Sequence, residues 1–75
     1  MLLAQRRELL RRGLDALPER ERAAIVLRDL EGLTTEEVAR ILKTRPVTVR
    51  SQVSSARAKL KVYCERLQRK GGLRR

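Results

Sequence analysis

The stretch TRPVTVRSQVSSARAKLK, Thr44 to Lys61, decides the fold. Val49, Val53, Ala56 and Leu60 fall four, three and four residues apart, which is the apolar stripe of an amphipathic helix. The other side carries Thr48, Arg50, Ser51, Ser54, Ser55 and Ala58. Serine and threonine are mediocre helix formers, and a surface helix built for stability alone would place Glu, Lys and Gln there. The short hydroxyls therefore need a second reason.

Working outward, the joints between helices are marked by proline, glycine and a cap. Pro46 is a legal helix start, and the pattern runs from it through Tyr63 to about Leu67, ahead of Gly71-Gly72. Before it, Thr34 and Glu37 have the capping-box spacing, which predicts a short third helix over about Thr35 to Leu42 with Val38, Ile41 and Leu42 on one face. Gly32 is placed to end a second helix, about Pro18 to Leu30, in a left-handed conformation. Pro18 is expected in the first turn of that helix, followed by Glu19 and Glu21, which complement its positive end. A first helix, about Leu3 to Asp15, carries Leu3, Leu10 and Leu14 on one side with Leu17 beyond it, and Gly13 weakens its last turn. No strand pattern or internal repeat is present. The expectation is an all-α, small four-helix domain over 1–75, with a C-terminal helix-turn-helix at about 34–61, a long last helix and a basic tail at 69–75.

Two helices joined by three or four residues form a helix-turn-helix, and that motif explains the hydroxyls. A helix entering the major groove of DNA must present short or planar polar groups, because long flexible ones hold its axis away from the base edges. Arg50 can also make the two-pronged contact to guanine. The plainer alternative is an ordinary exposed helix face.

Composition agrees with this reading. The formal charge is +10, and it is unevenly placed. Met1 to Lys43 holds nine Lys or Arg against eight Asp or Glu, whereas Thr44 to Arg75 holds ten against Glu65 alone. Such a basic segment attracts a polyanion, although the tail cations Arg69, Lys70, Arg74 and Arg75 also serve solubility. With one cysteine, Cys64, and no histidine, the chain offers no internal disulfide and no ordinary zinc site. No cofactor, metal or catalytic residue is expected, since Glu36 and Glu37 are explained by the helix start and no phosphate loop is present. No apolar run approaches a membrane span, so a cytoplasmic protein is expected.

The residues LPERERAAIVLRDLEGLTTEEVARILKTRPVTVRSQVSSARAKLK, Leu17 to Lys61, resemble region 4 of the sigma-70 family, most closely that of extracytoplasmic-function (ECF) sigma factors. The most specific pieces are LPERER, DLEGLTTEEVARIL and the V-R-S-x-V-x-x-A-R pattern of Val49 to Arg57. The resemblance implies recognition of the promoter element near −35 and docking on RNA polymerase through the flap of its β subunit. It implies base reading by Arg50, Ser51, Ser54 and Ser55, with Val47 and Thr48 at the start of the helix. Phosphate contacts fall to Thr34, Thr35, Arg40 and Arg57, with Arg45 in the turn beside them. Helix physics agrees for Thr34 and Thr35, because free amides at a helix start suit a phosphate. Three positions depart from the family pattern: Lys43 and Val47 stand where glycine is frequent, and Ser55 where arginine is. Region 2 is not among these residues, and an excised domain is expected ahead of a stand-alone relative.

Two other readings compete. One is an interaction module held by an anti-sigma factor, suggested by the run Ala23 to Leu27, five apolar residues on a helix that needs one buried side. Ile25 is the residue expected to face a partner. The other is a dimeric repressor-like regulator, for which only Tyr63 to Leu67 offers an apolar surface.

Overall fold

Four α-helices and one π-helical turn make up most of the described chain. The computed structural model describes the backbone of residues 3–70 and the side chains of 5–67. The basic tail, Gly71-Gly72 and the side chain of Leu3 lie outside the described residues. Helix α1 spans Leu3–Asp15, α2 Glu19–Ile25, α3 Thr35–Leu42 and α4 Pro46–Lys70, and no strand occurs among the described residues. Helix α4 is three residues longer than its periodicity predicts.

The apolar stripe of α4 organises two adjoining cores. Val49 and Val53 pack with Ala24 of α2 and with Val38 and Ala39 of α3, flanked by Leu27, Leu33 and Leu42. One turn on, Ala56 packs with Leu17 and Ile25, flanked by Leu14, Val26 and Leu60. The first core ties α3 to α4, and the second ties α1 to the same rod. Small residues permit this close stacking of helices. Gly13 is one of them, since a Cβ there would stand 2.7 Å from Cδ2 of Leu60. The residue that weakens a helix turn is thus the one that lets α1 reach α4.

Several expectations are corrected. Ile25 does not face outward: it is 4% exposed and belongs to the second core. The five-residue apolar run is accommodated because Ala24 and Leu27 serve the first core and Ile25 and Val26 the second, and the residue left most open nearby is Leu30, at 55%. Ile41 is also 55% exposed, and Ala39 takes the buried place beside Val38. Leu10 is exposed as well. Pro18 is the residue before α2, with extended ψ of 148°, and not part of its first turn. The predicted second helix is not regular either. Its second half, Val26–Leu30, is a π-helical turn in which the Glu31 amide reaches Val26 O at 2.9 Å.

Gly32 has the expected left-handed conformation, φ 76°. The turn between α3 and α4 is also left-handed, at Lys43, with φ 57° and ψ 49°. It is closed by Thr44 N–H to Ala39 O at 2.9 Å and Lys43 N–H to Arg40 O at 3.3 Å, the paired bonds of a Schellman ending. Three residues, Lys43 to Arg45, therefore suffice to join α3 to α4.

Candidate nucleic-acid interface

The first turns of α4 turn their apolar stripe inward, so the opposite face is left to solvent. On that face stand Val47, Arg50, Ser51 and Ser54, all exposed, Val47 at 62%. Their spacing of three, one and three keeps them on one side of the helix. The side chains of Arg50 and Arg45 make no hydrogen bond or ion pair among the described residues. No Asp or Glu occurs in α4 before Glu65. Thr48 is half-buried at the flank of this face.

A cleft of about 260 Å³ opens between the start of α3, the π turn and α4, lined by Thr35, Arg50, Ser54, Arg57 and Arg28. It brings together two expected base-reading residues and two expected phosphate contacts. Arg28 was not anticipated from the sequence, because a regular helix gives no reason to aim it there. Its Nη1 donates to Leu33 O at 3.2 Å, which pins the side chain across the end of the π turn.

The cap of α3 takes part of what a phosphate would otherwise use. Thr34 Oγ1 accepts from the Glu37 amide at 3.1 Å, and Glu37 Oε1 accepts from the Thr34 amide at 2.8 Å. The Thr34 backbone N–H holds the Glu37 carboxyl below the usual glutamate range, and the Thr34 hydroxyl adds to the effect. The amides of Thr35 and Glu36 remain uncommitted at the helix start, since the Val38 amide bonds Thr34 O. Arg40 is exposed beside Glu37.

Two expected residues stand differently. Ser55 is half-buried on the side of α4 that faces α2, where its Oγ donates to Glu21 Oε2 at 3.1 Å. Lys59 joins the same carboxylate, with Nζ 3.0 Å from Oε1. Ser55 lies one helical turn beyond Ser51, at the flank of the outer face, with its hydroxyl turned to α2. Arg57 is exposed but not unpaired. Its Nε and Nη2 donate to the two oxygens of Asp29 at 2.9 and 2.7 Å. This fork lowers the Asp29 pKa, chiefly through the hydrogen bond, and raises that of Arg57. Asp29 had no sequence signal, because it lies 28 residues from its partner.

The described residues contain no group of His, Cys, Asp and Glu arranged to hold a metal. No helix among them is long and apolar enough to cross a membrane.

Comparison with known proteins adds the following. The family described as Sigma-70, region 4 matches residues 7–60, from α1 into the later turns of α4. The ECF RNA polymerase sigma-E factor of Escherichia coli (strain K12) is 44% identical over 57 residues, covering 76% of this chain and 30% of that protein. The protein of the same name from Salmonella typhimurium (strain LT2) matches equally. The ECF RNA polymerase sigma factor SigE of Mycolicibacterium smegmatis is 44% identical over 54 residues, covering 72% of this chain and 21% of that protein. The chain thus spans less than a third of the length of these relatives.

Proposed function

The chain belongs to the region 4 family of sigma-70 factors, in its ECF branch, and from that premise we propose that it reads the promoter element near −35 with the outer face of α4. It is a DNA-binding module and not an enzyme. The observation that carries the reading is the acid-free face formed by Val47, Arg50, Ser51 and Ser54 at the start of α4. A major-groove helix brings its first residues to the base edges, and these are the residues on offer there. Val47 presents methyl groups to a thymine, and Arg50 a fork to a guanine. Thr48 reaches the groove wall from the flank, while Ser55 serves the packing of α2 on α4.

Arg40, Arg45, Thr35 and the amides opening α3 hold the phosphates on either side. Thr34 acts through its cap, which fixes where those amides point. In the whole factor this reading is coupled to RNA polymerase through the β flap, in the cytoplasm, where an anti-sigma factor is a further partner. The view of the domain as chiefly an anti-sigma target loses the residue it rested on, Ile25, to the core. The dimeric-regulator view is weakened because Leu60 and Tyr63 lie against Gly13 of α1.

The test is a titration of the chain against duplexes that it enriches from a randomised pool and against scrambled versions, at several salt concentrations. Preference for the enriched duplex and a fall in affinity with salt are expected. Equal binding to both at every salt concentration would refute base reading.

A further inference from the structure

We propose that Asp29 occupies the place on Arg57 that a DNA phosphate would take, and so restrains sequence-independent DNA binding. The inference rests on the DNA-binding reading above and assigns a specificity role to a residue that reading does not use.

The argument starts from the guanidinium. Arg57 has a planar fork of donors suited equally to a carboxylate and to a phosphate. Two of its donors, Nε and Nη2, are committed to the two oxygens of Asp29. Asp29 comes from the π turn, and its carboxylate meets α4 at Arg57, two helical turns beyond Arg50 and itself part of the cleft lining. Arg28 and Arg50 also line that cleft, and no carboxylate does. A phosphate drawn to the cleft by Arg28 and Arg50 therefore meets Arg57 already engaged.

The pair is open to solvent, with Arg57 59% and Asp29 30% exposed, and an ion pair this exposed is weak. A well-placed phosphate displaces the carboxylate, whereas a loosely placed one does not. Affinity for DNA of arbitrary sequence is the quantity reduced. Removing the carboxylate should turn Arg57 into an unconditional phosphate contact, and the counterion count should reveal it.

The experiment titrates the full chain against a labelled mixed-sequence duplex over a salt series. The variants are Asp29→Asn, Asp29→Glu, Arg57→Ala and the Asp29→Asn/Arg57→Ala double. Asp29→Asn should tighten binding several-fold at low salt and steepen the slope of log affinity against log salt by about 0.9, one phosphate's worth. Asp29→Glu, which keeps the pair, should retain the wild-type slope. In the Arg57→Ala background, Asp29→Asn should leave the slope unchanged. An unchanged slope in Asp29→Asn overturns the proposal, and so does equal steepening in both backgrounds, which would be a bulk charge effect. Wild-type binding with no salt dependence would overturn the DNA-binding reading itself. Circular dichroism checks folding, and Asp29→Ser is the second variant if Asn perturbs it.

Discussion

A single buried side chain, that of Ile25, decides how the apolar run of α2 is used. Ile25 fills the space between Leu17 and Ala56. Ile25→Glu puts an unpaired charge there, and a domain of this size holds on the order of 5 kcal/mol in total. The variant should be largely unfolded by circular dichroism at 25 °C, whereas a folded Ile25→Glu with native melting would return the residue to the surface. At Arg50 the expectation is the reverse. The side chain is exposed and unpaired, so Arg50→Ala should leave melting unchanged while costing about 1 to 3 kcal/mol on an enriched duplex and much less on a scrambled one. Equal weakening on both duplexes would remove Arg50 from the reading set. The outward character of Arg50, Ser51 and Ser54 was legible in sequence because it follows from the spacing of Val49, Val53 and Ala56. The bond of Ser55 to Glu21 was not legible for a physical reason: Ser55 lies at the edge of the stripe, where a neighbouring helix decides whether a hydroxyl meets solvent or a carboxylate.

At the scale of elements, three local signals translated directly into structure. They are the Thr34–Glu37 box, the left-handed Gly32 and the Pro46 start. The π turn was not legible, since its i to i−5 bond depends on how α2 must pass beneath α4 and on no residue type in Val26–Leu30. The turn at Lys43 yields a direct test. A lysine at φ 57° is strained by its Cβ, so Lys43→Gly should stabilise the domain by about 0.5 to 1 kcal/mol, read as a melting temperature several degrees higher. The cap of α3 yields another. Thr34→Ala should cost about 1 kcal/mol. Because the Glu37 carboxyl titrates lower when folded than when unfolded, its contribution is complete above about pH 4.5 and is lost as pH falls through the folded value. Asp29 acts in the same direction from its ordinary 3.8, and so does Glu8, lowered from 4.5 to about 2 chiefly by its hydrogen bonds to Arg11 and Arg12. Melting temperature should therefore stay level from neutral pH to about 5 and then decline, and Glu37→Gln should blunt the first part of the decline. A melting temperature that rises on acidification would contradict the sign.

Over the whole molecule, the charge step seen in the sequence is reshaped by the fold. The chain measures 44 × 20 × 15 Å, and α4, about 37 Å long at 1.5 Å per residue, sets its long axis. Acids from α2 and the π turn lie against the middle of this rod: Glu21 takes Lys59, and Asp29 takes Arg57. The six described cations of this segment, Arg45, Arg50, Arg57, Lys59, Lys61 and Arg66, are therefore not one continuous basic surface. Arg45 and Arg50 stand at the front with Arg40 and Lys43 of the preceding helix and turn, and Lys61 and Arg66 follow the paired zone on its far side. A straight helix leaves a curved groove within a few turns, so the rear cations should be too far along the axis to hold phosphates bound at the front. Arg40→Ala and Arg45→Ala should each lower the magnitude of the salt slope by about 0.9, with similar losses on every duplex, while the Lys61→Ala/Arg66→Ala double changes it far less. If the rear pair proves as costly as the front pair, DNA lies along the whole rod, and the acids at its middle are not a boundary of the interface.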